Sequence, residues 1–318
     1  MGAGRRGGIA VSQPPLSIPV IVGPTASGKT MLSLELAARF AAIEIVSADS
    51  RQIYRGMDIG TAKPSPAELA SVPHHMIDIV TPDALYSAGL YAAAARSAIG
   101  EILQRGKIPL VVGGSGFYIK ALFEGLSAPT VDQELLLRLQ ERGEREGWGL
   151  LYDELRRIDP AAAEAHSSNN HVKILRALCC YYQTGQLYSA FTGADTLAAS
   201  PWRPRYFGIA PPRELLYERI NARVVAMLDA GLLEETASLV ALGYDAASPG
   251  LRTVGYAEAL GHLSGELDAA TMRSAIQQST RRYAKRQMTW FRKVEGVEWV
   301  PSHQTEAGEM WLRGALGL

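Results

Sequence analysis

Cysteine is nearly absent. The two in the chain, Cys179 and Cys180, are adjacent, which argues against an intrachain bridge and against a zinc cluster, both of which need spaced thiols. Long apolar runs are missing too: stretches such as residues 108–112 fall far short of the roughly 18 residues needed to cross a bilayer, so a membrane protein is not expected. Residues 1–17 carry two arginines and several glycines but no apolar stretch fit for a signal peptide, and read as a flexible N-terminal extension. Without an export signal, the expected home is the reducing cytoplasm. Net charge is also lacking, since 32 basic residues balance 32 acidic ones, so total charge points to no polyanionic partner.

What is there is a chain of 318 residues, 47% apolar and 20% charged. That is the composition of a globular protein, long enough for two domains at roughly 100–200 residues each. Short apolar runs at 19–22, 43–46 and 108–112 read as strands, and the periodic stretches 31–42 and 88–104 as helices. This alternation predicts an α/β fold: a phosphate-loop NTPase-like core with a parallel sheet, helices on both faces, and ligands at the carboxyl ends of the strands. Residues 131–185 offer helical runs, broken at Asp159-Pro160 and Gly185, and no strand candidate. They predict an all-helical subdomain inserted at 129–200 between core segments 18–128 and 201–300. A strand at 206–210, helices over 213–242 and 256–290, a last strand at 297–300 and a C-terminal tail at 301–318 complete the reading.

Gly23, Pro24, Thr25, Ala26, Ser27, Gly28, Lys29 and Thr30 match the phosphate-binding pattern G-x-x-x-x-G-K-[ST], with a strand before and a helix after. The glycines let backbone N–H groups converge on phosphate oxygens, Lys29 neutralises charge, and Thr30 can hold magnesium. The loop calls for a diphosphate or triphosphate and does not by itself specify ATP. Asp49 follows the second strand and should share that sheet edge. A carboxylate there could hold magnesium through water, position a substrate, act as a general base, or simply cap a helix. No strand ends in a clear acid of the kind that NTP hydrolysis uses; the third runs instead into Gly113-Gly114-Ser115-Gly116, a loop suited to close approach by a ligand.

His74, His75 and Asp78 lack further ligands at metal spacing and favour a structural role. Arg219 and Arg223, four apart on one helical face, could reach anionic oxygens together or be a solvated surface. Between Thr271 and Lys293 seven basic residues occur with no acid. The pairs Arg281/Lys285 and Arg282/Arg286 form a stripe interleaved with Tyr283, Trp290 and Phe291, a pattern that suits an RNA whose bases can be unstacked.

Taken together, the phosphate loop, the run from Asp49 to Pro64, Pro73 to Asp78, Gly113 to Leu122, Arg176-Ala177-Leu178, Arg219 to Glu235, Val254-Gly255-Tyr256 and Arg282 to Arg292 resemble the tRNA dimethylallyltransferase (tRNA isopentenyltransferase) family. The resemblance spans about residues 18–300. Ser115 stands where the family usually has Thr, and Asn170 and Lys173 where it usually has Asp and Arg. The resemblance implies transfer of a dimethylallyl group from dimethylallyl diphosphate to the exocyclic amine of the adenosine 3′ to the tRNA anticodon. It implies magnesium at Thr30, charge stabilisation on the leaving diphosphate by Lys29, Thr30 and Arg223, and Asp49 as acceptor of the amine proton. It also implies a base pocket of Asp49, Ser50, Arg51, Gln52 and Ser115, with Lys173, Arg176, Arg282 and Arg286 clasping the anticodon stem-loop. An enzyme enclosing one stem-loop needs no obligate protein partner, so a monomer is expected. Three other readings compete: an adenylate isopentenyltransferase making cytokinins, a small-molecule kinase, and a noncatalytic RNA-binding module.

Overall fold

The computed structural model describes residues 16–126, 132–191 and 200–318. The expected N-terminal extension therefore lies outside the described residues except at its end, where Ser17 already pairs in the first strand. Six strands, β1 (Ser17–Val22), β2 (Ile43–Ser47), β3 (His74–His75), β4 (Ile108–Gly113), β5 (Arg203–Ile209) and β6 (Val297–Val300), form one sheet in the order β3-β2-β4-β1-β5-β6. Every pairing is parallel, as expected for an α/β core. The short β3 escaped the sequence reading because two histidines carry no apolar alternation.

Alternation along β1 sends Ile18, Val20 and Val22 to one face and Ile21 to the other. The first face is covered by α3 (Ala88–Gln104) and α4 (Gly116–Glu124), the second by α1 (Lys29–Arg39), while α2 (Pro66–Ser71) lies outside both clusters. Both faces are thus sealed, which the continuously apolar strands require. Val22 pairs with Gly113 and Ser47 with Val112, so the loops leaving β1, β2 and β4 emerge together at one edge of the sheet.

The inserted helices are α5 (Gln133–Glu146), α6 (Trp148–Ile158), α7 (Pro160–Glu164) and α8 (His171–Thr184). They close around a cluster of their own that includes Leu139, Leu151, Leu155, Ile174 and Leu178. The expected breaks fall where the residue chemistry put them. Buried Asp159 caps α7 by accepting the N–H of Ala162 at 3.1 Å, and Gly185 ends α8 at φ 71°. The residues that join this subdomain to the core on either side, 127–131 and 192–199, lie outside the described residues.

Two expectations need correction. Each of the long C-terminal helices is a pair: α9 (Arg213–Asp229) and α10 (Leu232–Ala241), then α11 (Tyr256–Leu263) and α12 (Ala269–Phe291). Gly231, at φ 99°, turns the chain between the first two, and Asp268 caps α12 through the N–H of Thr271 at 2.8 Å; the apolar periodicity carried through both breaks and hid them. The segment expected as a tail forms α13 (Thr305–Leu316), whose buried Trp311 and Leu312 join Leu32, Leu36 and Phe207 over the second face.

Candidate active site

The phosphate loop lies between β1 and α1, as its pattern demands. Glycine is obligatory at its first position, because a Cβ on Gly23 would sit 2.5 Å from the carbonyl oxygen of Ile209. Gly28 lies at φ 103°, and Ala26 is held at φ 62°, a left-handed conformation that a side chain resists and that marks stored strain. Lys29 donates from Nζ to the Pro24 carbonyl at 2.8 Å and so arches back over its own loop. Burial is the main influence on its ammonium and pulls its pKa down to about 8; Asp49 opposes this, and Arg223 and Arg51 reinforce it.

Asp49 leaves β2 two residues after Ser47. Its Oδ1 accepts the N–H of Arg51 at 2.9 Å, forming a turn rather than the start of a helix. Gln52 is committed on both ends of its amide, accepting from the Ser47 hydroxyl at 3.1 Å and donating to the Ala62 carbonyl at 3.0 Å. The following segment is held by groups that sequence reasoning did not assign. Buried Lys63 bonds Asp58, Asp78 and the Tyr54 carbonyl. From α10, Glu235 accepts the N–H groups of Asp58, Ile59 and Gly60 and the hydroxyl of Tyr256. Ile53 and Met57 anchor the segment to Leu232, Tyr256, Met272 and Ile276. Asp49 is thereby carried on a loop braced from α10, α11 and α12.

The Gly113 to Gly116 loop is tight because protein atoms fill the space its glycines leave. A Cβ on Gly113 would lie 2.1 Å from the Ala48 carbonyl oxygen, one on Gly114 2.1 Å from the amide of Gln287, and one on Gly116 2.1 Å from the Trp290 ring. Ser115 accepts the N–H of Ser50 at 2.9 Å, so its hydroxyl ties two loops together rather than standing free for a ligand.

These loops open on a cavity of about 440 Å³ lined by Lys29, Thr30, Asp49, Arg51, Gln52 and Arg223, among others. Arg219 reaches the same cavity from the turn of α9 before Arg223. Burial and the nearby Arg51 lower the pKa of Arg223, and Asp49 works the other way. Across the cavity wall the Arg51 guanidinium lies 4.3 Å above the Tyr283 ring of α12. Arg282 and Arg286, also on α12, face a separate groove of about 960 Å³ that includes Lys285, Lys293 and Trp290. Lys173 and Arg176 sit on α8 in the helical subdomain and line neither cavity. Both histidines are hydrogen-bonded within the fold: His75 bonds Glu44 at 2.7 Å, and His74, which also borders the smaller cavity, bonds the Val72 carbonyl at 2.9 Å.

Comparison with known proteins bears on the same elements. The family model described as IPP transferase matches residues 52–294, a span that begins just past Asp49 and ends just past the basic helix. The chain belongs to the tRNA dimethylallyltransferase (IPP transferase) family. It is 45% identical over 286 residues to tRNA dimethylallyltransferase 1 of Syntrophotalea carbinolica, covering 90% of this chain and 91% of that one. A full-length tRNA isopentenylpyrophosphate transferase from Bacillus halodurans matches the structure with TM-score 0.69 at 34% identity, over 96% of this chain and 97% of the other. A eukaryotic dimethylallyltransferase acting on tRNA matches with TM-score 0.76 at 26% identity, over 92% and 75%.

The buried residue that sequence reasoning missed most clearly is Gln287. Met272, Ile276, Ala284 and Phe291 mark the buried stripe of α12, and Gln287 falls on that stripe. A lone amide at a core position is the signal that could have singled it out.

Proposed function

We propose that this enzyme transfers a dimethylallyl group from dimethylallyl diphosphate to the exocyclic amine of the adenosine 3′-adjacent to the tRNA anticodon, releasing diphosphate. One observation carries the reading: the phosphate loop, Asp49 and Arg223 share a single cavity, and beside it runs α12, the main part of the segment from Thr271 to Lys293 that carries seven basic residues and no acid. A cavity for a diphosphate bordered by a surface for a polyanion fits a small donor and a nucleic-acid acceptor.

The chemistry follows from placement. The allylic carbon–oxygen bond breaks as the amine nitrogen bonds to that carbon, and the electron pair leaves with the diphosphate. Lys29 and Arg223 stabilise that charge in a site that burial has already partly dried. Asp49 accepts the proton that the nitrogen sheds. The amine is a poor nucleophile, so alignment matters as much as proton removal. The target adenine must leave its stack, at a cost of a few kcal/mol; Arg51 and Gln52 line the pocket that repays it, and Ser50 and Ser115, bonded to each other, hold the loop that carries them. Lys173 and Arg176 of the helical subdomain 129–200, with Arg282 and Arg286, hold the stem-loop by phosphate contacts.

Among the described residues no group of three or more His, Cys, Asp or Glu could hold a metal. The exposed Thr30 hydroxyl in that cavity would instead hold a magnesium ion brought with the diphosphate. When bound it would supply further neutralisation of the leaving group.

The test is incubation of purified protein with magnesium, labelled dimethylallyl diphosphate, and either unmodified tRNA bearing that adenosine or AMP. Label in tRNA alone is expected. Label in AMP alone would assign the chain to free-nucleotide prenylation, and label in neither, from folded protein, would overturn the reading.

A further inference from the structure

Gln287, a buried side chain of the basic helix, hydrogen-bonds both glycine-rich loops. It is 6% exposed. Its Oε1 accepts the N–H of Thr25, in the phosphate loop, at 2.8 Å, and its Nε2 donates to the Gly114 carbonyl at 3.0 Å. These partners lie 262 and 173 residues away in the chain, so the bonds exist only because the tertiary fold sets α12 across the ends of β1 and β4. The fit leaves no slack: any side chain at Gly114 would strike the Gln287 amide, and at Gly116 the Trp290 ring, three residues further along the same helix.

The two bonds lead to the two halves of the reaction. From Thr25 the chain runs directly through the loop to Lys29 and Thr30. From Gly114 it passes to Ser115, whose hydroxyl holds the N–H of Ser50, next to Asp49. In the five residues before Gln287 the same helix presents Arg282, Lys285 and Arg286 on its outer side. We propose that Gln287 is a positioning residue that registers the RNA-facing helix to the phosphate loop and the Asp49 loop, so that a tRNA seated on α12 brings its amine into line with the diphosphate. It borders the cavity, but both polar ends of its amide are taken by the two loops. The proposal rests on the transferase reading above.

Transfer between two separately bound substrates is sensitive to displacements of about 1 Å, which cost on the order of 10²-fold in rate. A positioning loss therefore appears in the chemical step at saturation and not in the binding of either partner. In Gln287→Met, which keeps the shape and removes both bonds, the single-turnover rate with saturating tRNA and dimethylallyl diphosphate should fall by about 10²-fold. The separate dissociation constants, measured with each substrate alone, should stay within about twofold, as expected of a group whose polar atoms bond the protein and not the substrates. Gln287→Glu supplies the readout that a packing role would not move. Its neutral acid can accept from Thr25 and donate to Gly114 as the amide does, whereas its carboxylate cannot donate. Its rate relative to the native enzyme should therefore recover as pH falls through the carboxyl group's titration, which burial raises.

The inference is overturned if Gln287→Met reacts at the native single-turnover rate, or if its loss is matched by weaker binding of either substrate. Should that variant fail to fold, a rate for Gln287→Glu that holds a constant ratio to the native rate across pH overturns it equally. The native enzyme run in parallel separates the two levels: native protein that labels tRNA while the variants keep pace sinks the positioning role alone, and native protein that labels no tRNA sinks the transferase reading and this inference with it.

Discussion

The hydroxyl of Ser115 accepts the backbone N–H of Ser50 at 2.9 Å, joining the loop after β4 to the loop that carries Asp49. A second contact between the two hydroxyls, at 3.2 Å, closes the link. Ser115 therefore acts on the position of Asp49. A buried N–H left without its acceptor costs about 1–3 kcal/mol, so Ser115→Ala should lower kcat by roughly five- to a hundredfold, with Ser115→Thr retaining most of it. Measured kcat values for the pair decide this; an alanine variant as fast as the native enzyme would leave the link without consequence.

Asp49, which lines the cavity, is the carboxylate proposed above to accept the proton of the amine. Asp49→Ala should reduce turnover by about 10² to 10⁴, the range for a positioned acid or base, with far smaller loss of tRNA affinity. Single-turnover rates and filter binding on the same preparation check this, and unchanged turnover removes the proton-acceptor assignment.

The lowered pKa of Lys29 gives diphosphate binding a pH dependence. The charged ammonium is the form that binds an anion, and in the free protein it loses its proton near pH 8. Below that value the cation is present and affinity is at its highest. Above it, binding must take up a proton, and affinity should fall by up to about tenfold per pH unit. Calorimetric titration with dimethylallyl diphosphate between about pH 7 and 9.5 reads the slope. In Lys29→Arg, whose side chain stays charged, the profile should be flat over this range; a flat native profile would show that Lys29 does not engage the diphosphate.

Arg282 and Arg286 lie on the exposed side of α12 and line the larger groove. If both meet phosphates, the double change to alanine should weaken tRNA binding and reduce the slope of log K against log salt by about 1 to 2. Equal slopes for native and variant protein would place the RNA elsewhere.

The phosphate loop was legible in the sequence because its chemistry is local: eight consecutive residues carry the glycines, the lysine and the hydroxyl. The parallel sheet was legible from the rhythm of short apolar runs and helical stretches. Less was readable where a residue's partner is distant in the chain. Nothing near Glu235 announces that it gathers three N–H groups from residues 58–60, and nothing near Gly114 shows that its missing side chain makes room for Gln287. The splits at Gly231 and near Asp268 were hidden because apolar spacing persisted across them, and α13 because a short terminal segment was read by its place in the chain rather than by its buried Trp311.

By itself, then, the sequence determined the α/β class, the family, the phosphate-loop pattern and the candidate Asp49, since each depends on residue types at short, fixed spacing. Only the tertiary structure decided that Ser115 serves the neighbouring loop, that Lys29 lies where burial lowers its pKa, and that Gln287 joins the basic helix to the phosphate loop. Those are relations between segments 65 to 262 residues apart, and such relations come into being when the sheet stacks its strands out of chain order and brings their loops to one edge.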